Sequence, residues 1–238
     1  MGIVIFNNVS SADYGILVEH PPGYQIPQRD YEKVHIPGRN GDLVIDSESY
    51  QNAPRSYDIA FGNLEKKFAP MANMVSEWLN SASGYARLED SYEPEYYRLA
   101  LYQESANIEN ILFHAGRATI NFDCKPQRFL KSGDDLIEIN SSVTLRNPTN
   151  FKSKPIIKVY GTGAGGFSIG NYNVEITDIP DYLTIDSEIG DVYKDTQNCN
   201  RLVSFGNKGF PMFDKGESVI GFTGGITKME VVPKWWTI

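Results

Sequence analysis

Several groups of residues in this chain are of types that do chemistry elsewhere. Gly161-Thr-Gly163-Ala-Gly-Gly166 satisfies the G-x-G-x-x-G string and follows an apolar run. In a dinucleotide site that string closes a strand and opens a helix whose N-terminus holds the pyrophosphate. Here FSIGNYNVEI follows, which is strand-like, and no Gly-Lys-Ser/Thr supplies a phosphate loop. The string reads as a flexible glycine hairpin. His20, His35 and His114 lie on separate elements, without i,i+4 spacing or a neighbouring Cys or carboxylate pattern, which argues against zinc. Asp186 and Glu188 could form an acid pair, but a glycosidase needs a fixed separation and one pKa raised by burial. Followed by Gly190-Asp191, they read as solvated loop carboxylates. Trp235 and Trp236 could stack a sugar or pack a core; neighbours on a strand face opposite ways, so one is expected in the core and the other at an edge or subunit contact. No catalytic, cofactor-binding or metal-binding residue is expected, and the chain reads as a non-enzyme.

The elements that would position these residues are mostly strands. Arg55–Phe61 alternates, with Tyr57, Ile59 and Phe61 on one face. His114–Cys124 alternates too, placing Ala118, Ile120, Phe122 and Cys124 together and making Cys124 an inert core thiol. Lys125-Pro126 is expected to stop that strand. One helix is predicted. Leu64, Phe68, Met71, Val75, Trp78, Leu79 and Ala82 recur at helical steps, and Pro70 is tolerated only in a first turn, which gives Ala69–Ser81 ended by Gly84. Beyond Phe129–Asp135 the chain holds short apolar runs separated by Gly, Pro and Asn turns, among them Pro155–Gly161, Tyr172–Thr177, Tyr182–Asp186, Ser218–Phe222 and Thr227–Val232. That spacing predicts an antiparallel sandwich or jelly roll. Two domains are expected, residues 1–132 and 133–238.

A long arm, Tyr24–Asp46, stands apart from these elements. Tyr31–Ile36 and Asp42–Asp46 read as strands flanking Pro37, Gly38, Arg39, Asn40 and Gly41. Asn-Gly favours a type I′ turn, with φ > 0 at both central residues. The arm is therefore a hairpin with a cation, Arg39, at its tip; an ordinary surface hairpin carries the same signature.

Composition narrows the class. The net charge is −8; residues 1–130 hold 11 Lys+Arg against 17 Asp+Glu, and residues 131–238 hold 11 against 13. No basic run exists to grip a phosphate backbone. No apolar stretch approaches membrane-spanning length, and the first residues lack the pattern of a signal peptide. Two cysteines, Cys124 and Cys199, make no disulfide scaffold and read as free thiols of a protein made in a reducing cytoplasm.

The order of pieces resembles the distal tail protein (Dit) family of long-tailed, siphovirus-type phages of Gram-positive bacteria. The resemblance runs through IPGRNGDLVID, RSYDIAF, the helix closing on Val75-Ser-Glu-Trp78-Leu79 with Gly84, LEDSYEPEYYRLAL, AGRATINFDCKP, LTIDSEIGDVY, NKGFPMFDKGESVIGF and the terminal Trp pair. It implies a mainly β protein of two sandwiches: an N-terminal ring-forming one with a single helix, and a C-terminal galectin-like one. It implies a hexameric hub ring between the tail tube protein and the tail-tip, tail-associated or receptor-binding proteins, in the virion, with a channel that DNA passes without specific binding. No membrane, cofactor or metal is implied. A head-to-tail ring contact needs one surface to fit a different one on the neighbour. Pro37, Gly38, Arg39, Asn40 and Gly41 are the expected interface. The alternative is a carbohydrate-binding module for host cell-wall glycans, although the length leaves no room for the sugar-binding insertion of some members.

Overall fold

The computed structural model describes residues 2–62, 68–103, 109–112 and 115–238, with the backbone alone at 109–112. The chain is mainly β, with one α-helix among the described residues, Phe68–Leu79. It forms two compact units, Met1–Arg128 with Ile238, and Phe129–Thr237.

In the first unit one antiparallel sheet runs in the order Val9–Ser10, Val4–Phe6, Ala86–Asp90, Tyr96–Tyr102, Ala115–Leu130, Ala53–Gly62, Ile16–Val18. Gly2 and Val18 exchange backbone hydrogen bonds of 3.0 and 2.9 Å, so the sheet curls until its far strand meets the chain just ahead of Val4–Phe6. The period-two pattern decides which side is inside. Tyr57, Ile59 and Phe61 are buried while Ser56 and Asp58 are exposed, and the partner strand buries Ala118, Ile120, Phe122 and Cys124. The helix lays Met71, Val75, Trp78 and Leu79 on this core. The Trp78 indole N–H donates to the carbonyl of Val9 at 3.2 Å. Pro70 sits in the first turn, where its missing N–H is not needed. The helix stops earlier than Gly84: the Asn80 side chain and main chain both donate to the carbonyl of Ser76. Leu64 and His114 lie outside the described residues.

Lys125-Pro126 does not stop its strand, which continues to Leu130. Pairing with Ala53–Gly62 ends at Cys124↔Ala53. Pro126 therefore lies past that ladder, where a missing N–H costs no bond to this neighbour.

In the second unit the sheet runs Ile137–Ile139, Gly216–Val232, Ile156–Ile169, Tyr172–Asp186, Asp191–Lys194, Gln197–Asn198. Val143–Asn147 also pairs with Gly216–Val232, and Val203–Phe205 with Tyr172–Asp186. Several runs that read as separate strands are halves of single bent ones: Tyr172–Thr177 with Tyr182–Asp186, and Ser218–Phe222 with Thr227–Val232. The Gly161–Gly166 string is not a hairpin. It is the bend in the middle of Ile156–Ile169, where register shifts against both neighbouring strands. A Cβ on Gly161 would stand 2.1 Å from the carbonyl oxygen of Gly225, and one on Gly225 would stand 1.8 Å from that of Thr162. These glycines let two backbones approach where any side chain would separate them. The core holds Ile157, Val159, Ile169, Val174, Leu183, Ile185, Met229 and Val231.

Candidate functional site

The arm is the element with least support from its own chain. Arg29–Val34 and Leu43–Tyr50 form a separate two-stranded antiparallel sheet. The tip is not a two-residue turn. Positive φ falls on Gly38 (82°) and Gly41 (79°), not on Asn40. The Arg39 N–H donates to the carbonyl of Ile36 at 3.1 Å. With Pro37 second and Gly38 third, this is a type II turn, because proline supplies φ near −65° and glycine accepts the positive φ that follows. The Pro-Gly pair makes the turn, and Asn40-Gly41 lies on the return. Pro37, Gly38, Arg39, Asn40 and Gly41 are all exposed.

Residues opposite one another share a face of a hairpin. Val34 stands opposite Leu43, and Glu32 opposite Ile45; on the other face Lys33 meets Val44 and Tyr31 meets Asp46. Both faces carry apolar side chains in contact with water: Tyr31, Val44 and Ile45 are 49%, 53% and 45% exposed. At the base, Arg29 grips Asp46 through two contacts, 3.0 and 2.5 Å. Its hydrogen bonds hold the Asp46 carboxyl below the usual carboxylate range. At the tip His35 Nδ1 lies 3.3 Å from Asp42. A free two-stranded ribbon is marginal in water. One that shows aliphatic side chains on both faces is shaped to be covered.

The second notable feature is an ion cluster that the sequence reading did not assemble. Arg55 takes an inward position of its alternating strand, in step with Tyr57. Its Nη2 donates to Asp90 Oδ2 at 2.8 Å and to Glu93 Oε2 at 2.9 Å, and the Tyr57 hydroxyl donates to Asp90 Oδ2 at 2.7 Å. Asp90 Oδ1 accepts the backbone N–H groups of Tyr92 and Glu93, both at 2.9 Å. Burial pushes the Asp90 carboxyl up, but hydrogen bonds from Tyr57 and Arg55, with the charge of Arg55, outweigh it and hold the pKa below the ordinary value. Burial and the Asp90 carboxylate push the Tyr57 hydroxyl well up, so it stays a donor. Glu93 also accepts from Arg98 and Arg128, each at 2.7 Å, and is likewise held low against its burial. The one signal available in the sequence is a cation on the buried face of a period-two strand.

The other candidates are dispersed. His20 and His35 are exposed on different elements, and the described residues contain no group of His, Cys, Asp or Glu able to hold a metal ion. Asp186 Oδ1 accepts the backbone N–H groups of Glu188 and Ile189, which makes it a turn residue, while Glu188 faces Lys154 at 3.3 Å. Cys124 is buried, and burial pushes its thiol up to about 12. Trp235 is buried against Phe213, and Trp236 stacks on Phe151 at 4.6 Å and donates to the carbonyl of Lys152. No helix of the described residues is long and apolar enough to cross a membrane.

A mainly β chain of two units, one with a helix packed on its curled sheet and an exposed arm, has the fold of a phage hub protein. A solved structure that shows this is the Dit protein (gp 19.1) of SPP1, described as a paradigm of the hub adsorption apparatus in phages that infect Gram-positive bacteria. The two superpose with a TM-score of 0.76 over 97% of each chain, at 12% sequence identity. No family model matches the chain, and no curated protein matches it.

Proposed function

We propose that this chain is a structural protein of a phage or prophage tail and acts by shape. The observation that carries this reading is the likeness in fold to a hub protein over 97% of both chains. Six copies close a ring between the tail tube and the tail-tip or baseplate proteins, and DNA passes through the central channel without specific binding. The N-terminal domain, residues 1–132, builds the ring. The C-terminal domain, residues 133–238, is a galectin-like sandwich. The protein is made in the host cytoplasm and resides in the virion.

The arm supports this assignment physically. It carries exposed aliphatic residues on both faces, and its outer edges offer backbone groups that another chain can pair. A head-to-tail contact gives each arm a different surface on its neighbour. Pro37, Gly38, Arg39, Asn40 and Gly41 then lie at that contact, with Arg39 as the tip cation. The acidic balance of residues 1–130 keeps a channel wall from holding a polyanion. The mass of the purified protein in solution, with negative-stain images, tests the reading. Six-fold rings that vanish when the arm, residues 24–46, is deleted are expected. A protein that stays monomeric at every concentration, alone and with its tail tube protein, would overturn it.

A further inference from the structure

We propose that a recess at the foot of the arm is a binding site for one carboxylate- or phosphate-type oxyanion. The recess opens to solvent and is lined in part by Tyr24, Pro27, Arg55, Arg98, Lys125 and Arg128. Four cations thus border a space whose fixed counter-charges are two carboxylates, Asp90 and Glu93. Glu93 is shared three ways. Arg55 and Arg98 approach one of its oxygens at 2.9 and 2.7 Å, and Arg128 takes the other at 2.7 Å. Arg128 Nη2 also donates to the main-chain oxygen of Ile238 at 2.9 Å. Even if Ile238 is granted a negative charge, the cations remain in excess.

Not every donor is spent. Each guanidinium carries five N–H donors. Nε of Arg128 is buried and finds no acceptor among the described residues. The Arg128 side chain is held between the rings of Tyr24 and Tyr96, at 4.9 and 5.0 Å. The side chain of Arg55 is 6% exposed. Half-buried positive charge in excess of its counter-charges is costly, and a guanidinium fork matches the paired oxygens of a carboxylate or phosphate. The oxyanion can come from solution or from an acidic side chain of a second copy. The inference holds whether or not the protein forms a ring.

The test uses the full-length protein and sodium phosphate, with sodium chloride at matched ionic strength as control. The melting temperature is expected to rise saturably with phosphate and not with chloride, as for a ligand that binds only the folded state. Arg98→Gln is expected to raise the half-saturating concentration about tenfold, the loss of one charge-assisted hydrogen bond. Lys125→Gln, outside the Glu93 cluster, should raise it in the same direction and serves if the arginine variant does not fold. A phosphate response that never saturates, or that both variants share unchanged, would overturn the site. The source is read from the oligomer. Phosphate that shifts it toward smaller species identifies a neighbour's carboxylate as the occupant, and saturable binding that leaves assembly unchanged identifies a free ion.

Discussion

Arg55 and Asp90 form an ion pair of 2.8 Å whose side chains are 6% and 1% exposed, inside a unit otherwise held by aliphatic and aromatic packing. Removing one member of such a pair leaves the other charged and buried. Arg55→Met is therefore expected to cost about 3–5 kcal/mol. Arg55→Met with Asp90→Leu together should cost less than the two single changes summed, because the charges vanish as a pair. Urea denaturation of the four proteins measures both quantities.

The same cluster sets a pH dependence. The folded pKa values of Asp90 and Glu93 lie below their ordinary values. The unfolded chain therefore binds more protons through that range, and stability rises with pH there. The contribution is fully present above about pH 5 and is lost as pH falls through the ordinary carboxylate range toward the lowered folded values. Asp90→Asn should flatten this slope. Denaturation midpoints between about pH 3 and 6 give the comparison.

At the bend of the second unit, Gly225→Ala drives a methyl group against the carbonyl oxygen of Thr162, which stands 1.8 Å from the ideal Cβ position. Backbone on both sides must move. The expected loss is about 1–3 kcal/mol or more, as for overpacked interiors. Gly84→Ala, where nothing lies within 4 Å and φ is not positive, is the control and should change little. Differential scanning calorimetry reads the two variants against the parent.

Leu43→Ser with Ile45→Ser strips one face of the arm. Both residues are exposed in the single chain, so unfolding of that chain should shift by no more than about 0.5 kcal/mol per site. The oligomer is expected to dissociate at concentrations where the parent stays assembled, since burying each aliphatic side chain at a contact is worth about 1.5–3 kcal/mol. Sedimentation velocity separates the two effects.

What the sequence disclosed follows from where one burial pattern acts alone. The strands Ala53–Gly62 and Ala115–Leu130 each bury one face, so period two was legible at Tyr57, Ile59, Ile120 and Phe122. The helix was legible because Met71, Val75, Trp78 and Leu79 face one core. In the second unit the residues that usually end strands sit inside them. Pro180 and the pair Gly224-Gly225 bend long strands instead of breaking them, a choice that only the neighbouring strand decides. At the arm tip two turn signals competed, and Pro37-Gly38 prevailed over Asn40-Gly41. The Glu93 cluster was hidden because its arginines come from three different strands, at positions 55, 98 and 128. The recess beside it was hidden for the same reason.

The ribbon of Arg29–Val34 and Leu43–Tyr50 is also a hazard. A newly made chain with two bare strand borders and outward aliphatic groups can stack on any similar ribbon, productive or not. Glu32, Lys33, Asp46 and Glu48, interspersed among those groups, work against uncontrolled stacking. Mutations that neutralise them would be felt as precipitate in the expressing cell.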